Sequence, residues 1–299
     1  MDVVGLGQIS LDRVVALPHW PRAGEKLALA DAAVARPGGQ VATAVLAAVR
    51  LGLSARLVGA VGDDGDADRA LAPLRASGVD LTHVRRVASA TTRSALVLVD
   101  PRGERTVLGH RDPRLALVPE ALSRVAIRDA RALLVDGEDP DAAAWAIAVA
   151  REAGVASVLD ADRADPDREK LAASADFPIV SESFCADSED SPSDPVVRAL
   201  LARLASAGAR MAVVTRGERG AIASCDGEIL EQPAIAVRAV DTTGAGDVFR
   251  GAFAWALVSG ASARRALALA ATAGALACRG AGAQGSLPTA AEVEQGAPR

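Results

Sequence analysis

The sequence predicts an α/β fold in which helices flank a mainly parallel sheet. Short β-branched runs alternate with longer Ala- and Leu-rich segments that carry charges at helical spacing, and this alternation is typical of βαβ units. Two stretches lack the intervening helix, which predicts a small second sheet. Half of the 299 residues are hydrophobic, so residues 1–299 can bury a core as one α/β domain.

Apolar runs mark the strands of the main sheet, and apolar residues at spacings of three and four mark the helices between them. The predicted strands are Val3–Gly7, Ala55–Val61, Ala132–Asp136, Val155–Asp160, Phe177–Ser181 and Met211–Thr215. The predicted helices include Val41–Leu51, Ala142–Ala153 and Pro195–Ala207. A glycine suited to a left-handed helix end follows each of these three: Gly52, Gly154 and Gly208.

Residues 13–34 and 94–108 are predicted to form the small sheet. Pro18, Pro21 and Gly24 prevent a long helix in the first stretch. Asp100–Gly103 predicts a hairpin turn in the second. Because this strand material comes from two separate places, we expect a sheet that projects from the main domain and acts as a lid.

Composition excludes several classes of function. The 33 Lys and Arg against 38 Asp and Glu give a net charge of -5, and aromatic residues are 2% of the chain, which disfavours nucleic-acid binding. The N-terminus has no basic region and no apolar run reaches about 18 residues, so we expect a cytoplasmic protein without membrane contact. Three scattered cysteines and three histidines predict isolated thiols and no clustered metal site.

The strongest chemical motif is Val240–Phe249, which reads Val-Asp-Thr-Thr-Gly-Ala-Gly-Asp-Val-Phe at a predicted strand-to-helix junction. The small residues Gly244, Ala245 and Gly246 let backbone N–H groups converge with a helix N-terminus, which makes an anion site. Asp247 is then placed to accept a proton from a hydroxyl that attacks a phosphoryl group. The alternative is a tight turn with Asp247 as a helix cap, but the whole string favours function.

This motif, together with Arg-Pro-Gly-Gly-Gln-Val-Ala-Thr-Ala at Arg36–Ala44, resembles the signatures of the ribokinase family of carbohydrate kinases, also called the PfkB type. The resemblance runs from Val3 to about Pro288. It implies a three-layer ribokinase-like fold and the use of ATP with Mg²⁺. Departures at 181–185, 241–243 and 278–282 resemble the ketohexokinase and sulfofructose kinase branch.

The resemblance also implies roles for the residues of the motif. Asp247 would be the base that activates the sugar hydroxyl, and the backbone of Gly244, Ala245 and Gly246 would form the anion hole for the migrating phosphoryl group. The nucleotide would lie beside Thr215 and Gly217, with Thr243 and Gly246 completing its site.

On the sugar side, the resemblance implies a site built from Asp12, Gly38, Gly39, Gln40 and Lys26. A carboxylate such as that of Asp12 accepts two hydroxyl bonds, which suits a vicinal diol. The glycines would allow close approach of the backbone to the sugar. Gln40 stands where most family members have Asn, so its contact is moved by the extra methylene group.

Metal and subunit contacts are implied less directly. In the segment that usually reads Asn-x-x-Glu, only Glu182 remains to organise the waters of Mg²⁺, and some family members bind a monovalent cation at the position of Asp241. Lids in the family often pair, so the apolar residues Leu27, Leu29 and Val34 suggest a homodimer through the lid.

We therefore predict a kinase that transfers the γ-phosphoryl group of ATP to a primary hydroxyl of a small sugar, such as the ketose fructose. The acidic loop Gly137–Asp141 favours a neutral sugar because like charges repel, although Lys26, Arg36, Arg111 and Arg114 are basic residues that would attract an anion. Alternatives are a kinase for an anionic sugar or a nucleoside, and a non-catalytic sugar or nucleotide sensor, which would have no need of Asp247.

A nicotinamide-dependent oxidoreductase is the remaining rival. Gly5–Ser10 approaches a dinucleotide-binding pattern, but that pattern needs a helix starting at the turn. Pro18 and Pro21 leave no room for a helix of ordinary length, so the pattern is not expected to bind a dinucleotide.

Overall fold

The computed structural model describes residues 1–101, 105–185 and 193–298. Its strands in chain order are β1 (Val3–Leu6), β2 (Ser10–Ala16), β3 (Val34–Gly38), β4 (Ala55–Gly62), β5 (Asp80–Val87), β6 (Ser94–Val99), β7 (Arg105–His110), β8 (Ala132–Asp136), β9 (Ala156–Ala161), β10 (Phe177–Ser181), β11 (Met211–Thr215), β12 (Ala221–Cys225) and β13 (Glu228–Gln232). The helices are α1 (Gln40–Arg50), α2 (Gly65–Ala76), α3 (Arg124–Arg128), α4 (Pro140–Ala153), α5 (Pro166–Ser174), α6 (Asp194–Ser206), α7 (Ala245–Val258), α8 (Ala263–Ala277) and α9 (Ala290–Gly296).

The main sheet has the order β13-β12-β11-β10-β9-β8-β1-β4-β5 within the described residues. Strands from β11 to β5 in this order run parallel, and β12 and β13 add an antiparallel hairpin at one edge. Asp136 pairs in register with Asp160, and Asp160 with Ile179. The carboxyl ends of β8, β9 and β10 therefore form one edge of the sheet.

Helices cover both faces of this sheet, which confirms the predicted three layers. Alternate residues of β8 point to opposite faces, so that Ala132 and Leu134 join the core beneath α1, α2, α7, α8 and α9. Leu133 and Val135 join the core beneath α3 to α6. Among the described residues, no helix is long and apolar enough to span a membrane.

A second sheet has the order β3-β2-β6-β7 in the described part of the chain. Strand β2 pairs antiparallel with β3 and parallel with β6, and β6 pairs antiparallel with β7. The predicted second sheet is present, but its limits differ from those expected. Of the hairpin turn predicted at 100–103, residues 102 and 103 lie outside the described residues.

The first lid segment was expected at 13–34, whereas the strands occupy residues 10–16 and 34–38 and the stretch between them forms no strand. Pro18 and Pro21 lack the N–H that a ladder needs, which accounts for the gap. The second segment extends to His110. Strand β2 begins at Ser10, the last residue of the dinucleotide-like pattern, so no helix follows that pattern, as predicted.

Replacing Phe253 by Ala should lower the free energy of unfolding by about 3–5 kcal/mol, because a large buried ring leaves a cavity. Phe253 is 0% exposed, and its ring packs edge-on against Phe177 with centroids 5.6 Å apart. Urea unfolding followed by circular dichroism measures the change. Val125→Ala is the control, since Val125 is 71% exposed and its loss should cost no more than about 0.5 kcal/mol. Equal unfolding midpoints for the two variants would contradict the assigned core.

Candidate active site

The predicted motif lies at the carboxyl edge of the main sheet, where α7 begins. Gly244 caps α7 with a φ of 77°, a left-handed conformation that favours glycine. A Cβ at this position would lie 2.6 Å from Cα of Ala283, so a side chain is also excluded by space. The first amides of a helix have no partner within the helix, and amides of this kind can bind an anion. Gly244, Ala245 and Gly246 lie at this helix start, where the N–H of Ala245 donates to the carbonyl of Thr242 at 3.3 Å, and their role as an anion hole stays a prediction.

Asp247 lies in the first turn of α7 and is half-buried. Burial raises its pKa well above the usual range, and the carboxylates of Asp160, Asp162 and Asp136 raise it further, while Arg250 lowers it. A carboxylate with a raised pKa binds a proton more readily than an exposed one. Asp247 can therefore accept a proton from a hydroxyl bound at this edge.

Two further carboxylates lie at the carboxyl ends of β8 and β9. Asp136 on β8 accepts hydrogen bonds from the backbone N–H of Gln8 at 2.8 Å and of Glu138 at 3.2 Å, and burial raises its pKa to about 7. Burial raises the pKa of Asp160 on β9 to about 6. Sequence reasoning missed both residues, although an Asp at the end of each apolar run was a visible signal.

Sequence reasoning also missed Arg250, which lies one turn after Asp247 on α7. Its side chain is buried and its Nη2 lies 2.8 Å from Oδ1 of Asp160. Apolar residues stand at 249 and 252 on either side of it, so the sequence pattern gave no reason to expect a buried cation there. A buried arginine requires a buried acceptor, and Asp160 supplies it.

Most of the predicted sugar residues lie together beside β2. The ideal Cβ position of Gly38 is 2.4 Å from Oδ2 of Asp12, so these two residues are in close contact. Burial raises the pKa of Asp12 above its usual value. Interactions with the Ser10 hydroxyl, the Ala95 amide and the Arg93 guanidinium lower the pKa but do not outweigh burial.

The start of α1 completes this group. Gly39 caps α1, and Gln40, its first residue, accepts a hydrogen bond at Oε1 from Nε2 of Gln8, at 3.1 Å. That bond fixes the direction of the longer amide side chain. Lys26 lies in the exposed segment between β2 and β3, and its contact with a sugar stays a prediction.

The predicted nucleotide residues lie at the ends of the neighbouring elements. Thr215 ends β11, and its hydroxyl donates to the carbonyl of Val180 on β10 at 3.4 Å. Gly217 follows in a short turn. Thr243 precedes α7 and donates from both its backbone N–H and its hydroxyl to Oδ1 of Asp241, at 2.8 and 2.6 Å.

Asp241 ties the motif to the C-terminal segment and to the small sheet. Its Oδ2 accepts from the N–H of Gly282 at 2.8 Å, and Arg105 of β7 lies 3.8 Å from Oδ1 and donates to the hydroxyl of Thr243. Partial burial acts to raise the pKa of Asp241, but the hydrogen bonds from Thr243 and Gly282 outweigh it and keep the pKa low. The expected monovalent cation at Asp241 stays a prediction.

Glu182 follows β10 and forms an ion pair with Arg219. No group of three His, Cys, Asp or Glu side chains within the described ranges is arranged to enclose a metal ion. Mg²⁺ bound with a nucleotide usually keeps several waters and needs only one or two carboxylates besides the phosphates. A single half-buried carboxylate at Glu182 therefore fits a water-mediated role toward Mg²⁺.

The acidic loop is not the free negative charge that the sequence argument assumed. Glu138 forms ion pairs with Arg93 at 2.8 Å and Arg168 at 2.9 Å, and Asp139 accepts both of its hydrogen bonds, at 2.6 and 2.7 Å, from Arg111. These arginines compensate the carboxylates, so repulsion by the loop is the wrong basis for a preference for neutral sugars. Arg114, a suggested anion partner, is itself paired with Asp112 at 2.6 Å.

Comparison with known proteins identifies relatives along almost the whole chain. The model of the pfkB family carbohydrate kinases matches residues 2–290. An ATP-dependent ribose-1-phosphate kinase of Halopiger xanaduensis is 31% identical over 293 residues, which are 97% of this chain and 96% of that protein. A ribokinase of Schizosaccharomyces pombe is 29% identical over 310 residues, with 98% and 97% covered.

A solved structure shares both sequence and fold. The structure of Arabidopsis thaliana ribokinase complexed with ribose and ATP is 25% identical, covers 98% of this chain and 97% of its own, and superposes with a TM-score of 0.86. The fold is therefore ribokinase-like, as the resemblance implied. The match over residues 2–290 shows that this chain belongs to the pfkB family of carbohydrate kinases, which transfer a phosphoryl group to an alcohol.

Proposed function

We propose that the protein transfers the γ-phosphoryl group of ATP to the primary hydroxyl of a small neutral sugar, either a pentose or a ketose such as fructose. The observation that carries this proposal is the position of Asp247 in the first turn of α7, beside the first backbone amides of the helix that Gly244 caps. The relatives named for ribose support a pentose. None of the relatives reported above is named for a ketose, so fructose rests on the sequence resemblance alone.

In this reaction Asp247 takes the proton of the sugar hydroxyl as the hydroxyl oxygen attacks the γ-phosphorus. A bond forms between that oxygen and phosphorus, and the bond from phosphorus to the β-phosphate oxygen breaks to release ADP. The amides of Gly244, Ala245 and Gly246 donate to the charge that gathers on the migrating group. The proton remains on Asp247 until it is lost to water.

The nucleotide is held at the ends of β11 and α7 in this proposal, with Thr215, Gly217, Thr243 and Gly246 around its phosphates. Mg²⁺ bound with ATP would supply positive charge to those phosphates. Glu182 is the residue that would hold the water shell of the ion, which requires its ion pair with Arg219 to open. A monovalent cation beside Asp241 would add further positive charge at the same end.

Asp12 binds the sugar in this proposal, since its carboxylate can accept hydrogen bonds from two adjacent hydroxyls. Gly38 and Gly39 leave room for the ring, and Gln40 contacts a further hydroxyl. A neutral sugar fits because Arg93 and Arg111 on the neighbouring wall already face Glu138 and Asp139. A phosphorylated sugar would have to draw one of these arginines from its carboxylate partner.

The sheet of β3, β2, β6 and β7 acts as the lid over this site. Its strand β2 carries Asp12, and Arg105 on β7 reaches the motif at Thr243, so the sheet contacts both the sugar side and the nucleotide side. Leu29 and Val34 are exposed, and we propose that they take part in a homodimer formed through the lid.

A second candidate is a kinase for a phosphorylated pentose. It is favoured by one observation, the relative named ATP-dependent ribose-1-phosphate kinase at 31% identity. Lys26 and Arg36 would be its added cations, because both lie on the lid side of the site.

Asp247→Asn should lower kcat by at least ~10²-fold, the usual scale for loss of a general base. ATP affinity measured by titration calorimetry should stay unchanged, since the amide has the same shape as the carboxyl group. Asp167→Asn is the matched control, because Asp167 lies on the surface in an exposed pair with Lys170. If the Asp247 variant turns over within a few-fold of the control, Asp247 is not the base.

ADP release assayed with ribose, deoxyribose, fructose, nucleosides, ribose 1-phosphate and fructose 6-phosphate should identify the acceptor. We expect kcat/KM for the best neutral sugar to exceed that of its phosphorylated counterpart at least ~10-fold, equivalent to about 1.4 kcal/mol. A clear preference for ribose 1-phosphate would replace the neutral-sugar assignment by the second candidate. ATP binding without ADP release on any acceptor would favour the sensor alternative.

Hydrogen exchange should report closure of the lid. Saturating sugar should slow amide exchange in residues 10–16, 34–38 and 94–99 together, because closure orders elements of low local stability. The hairpin of β12 and β13 at the far edge of the main sheet is the internal control and should not change. Exchange that stays constant in all three lid segments would remove the lid from the proposal.

A further inference from the structure

Beneath the anion site lies an ion pair that joins α7 to the main sheet. The side chains of Arg250 and Asp160 are 5% and 6% exposed, with Nη2 of the arginine 2.8 Å from Oδ1 of the aspartate. Nε and Nη2 of Arg250 also donate to the carbonyl oxygen of Ile179, both at 3.2 Å. Since Asp160 and Ile179 are register partners on β9 and β10, one guanidinium bridges two adjacent strands.

The same guanidinium lies directly under the anion hole. The ideal Cβ position of Gly246 is 2.6 Å from Nη1 of Arg250, so any side chain at 246 would collide with it. Asp247 and Arg250 are separated by three positions on α7 and share one face of the helix. Arg250 therefore contacts the sheet on one side and supports the base and the phosphoryl site on the other.

The carboxylates around this arginine outnumber it. Asp247 faces three carboxylates from the side of the sheet: Asp160 on β9, Asp162 just after β9, and Asp136 on β8. From its own helix it faces Arg250. Within the described part of the chain, neither carboxylate oxygen of Asp160 receives a hydrogen bond of regular geometry. Asp247 lies within hydrogen-bonding reach of Asp160, but it can donate only while it carries a proton.

We propose that Arg250 and Asp160 are positioning residues for phosphoryl transfer, which act through Asp247 by holding the start of α7 against the carboxyl edge of the sheet and by compensating the charge of the base. The inference rests on the proposed role of Asp247. It assigns a function to a buried pair outside the residues proposed to bind nucleotide and sugar. Arg250 favours the ionised base that accepts the hydroxyl proton, and Asp160 favours the protonated one.

The two members of the pair should therefore shift the acid limb of the kcat/KM profile in opposite directions. In Arg250→Gln the base loses its cation, so its pKa rises and activity is lost at higher pH than in the wild type. In Asp160→Asn the base loses a neighbouring anion, so its pKa falls and activity persists to lower pH. Each shift should be about 1 pH unit, the scale that a close charge imposes on a carboxyl group.

The experiment measures kcat/KM from pH 5 to 9 for the full-length wild type, Arg250→Gln, Asp160→Asn and the controls Arg198→Gln and Glu231→Gln. Arg198 and Glu231 form an exposed ion pair away from the site, and their profiles should match the wild type. Because Asp160→Asn preserves size and shape, it decides the question alone if Arg250→Gln fails to fold. Thermal unfolding and ATP titration establish which variants are folded.

Opposite displacements of the acid limb would support the proposal, as would a downward displacement in Asp160→Asn alone if the other variant is unfolded. Limbs that coincide with the wild type, or that move in the same direction in both folded variants, would overturn it. Failure of the proposed function is seen separately, since Asp247→Asn would then keep its kcat whatever happens to the pH profiles.

Discussion

The active-site edge depends on the register of β8, β9 and β10. Because parallel strands end at the same edge, this register places Asp136, Asp160 and the carbonyl of Ile179 in one row. Such a row concentrates negative charge and carbonyl oxygens in a poorly solvated place, which is unfavourable without a cation. Arg250 of α7 is a buried cation that pairs with this row, and these contacts hold α7 against the edge of the sheet.

The position of α7 is the basis of the proposed chemistry. A helix that starts at this point directs its first amides and its first-turn aspartate into the same space. The small sheet supplies Asp12 from the other side, and the ion pairs of Glu138 and Asp139 stiffen the wall between them. The carboxylate of Asp12 on the small sheet thus faces the first backbone amides of α7 across the proposed site.

The sequence was sufficient for the α/β class and for six strands of the main sheet to within one residue, and it singled out Asp247 and its glycine loop, whose roles stay predictions. These features depend on local pattern, which the chain displays directly. The partners of Glu138 and Asp139 could not be read in this way, because Arg93 and Arg111 are up to 45 residues away in sequence. Nor could the burial of Arg250, whose acceptor Asp160 comes from a strand 90 positions earlier. The predicted limits of the lid were displaced because Pro18 and Pro21 end the strand pairing between residues 16 and 34. Turn residues alone did not show where β2 ends and β3 begins.

The segment after α8 holds the motif in place and thereby affects the order in which the site can form. The carbonyl of Cys278 accepts from the N–H of Val240 and of Asp241, at 2.8 and 3.2 Å, and the N–H of Gly282 donates to Asp241. Gln284 donates to the hydroxyl of Thr43 on α1, at 3.2 Å, which links the segment to the first helix. Domains generally fold as units, and helices α7, α8 and α9, which cover one face of the main sheet, are synthesised last. The nascent chain therefore cannot complete this face or fix the position of the motif until the segment through Gln284 has left the ribosome.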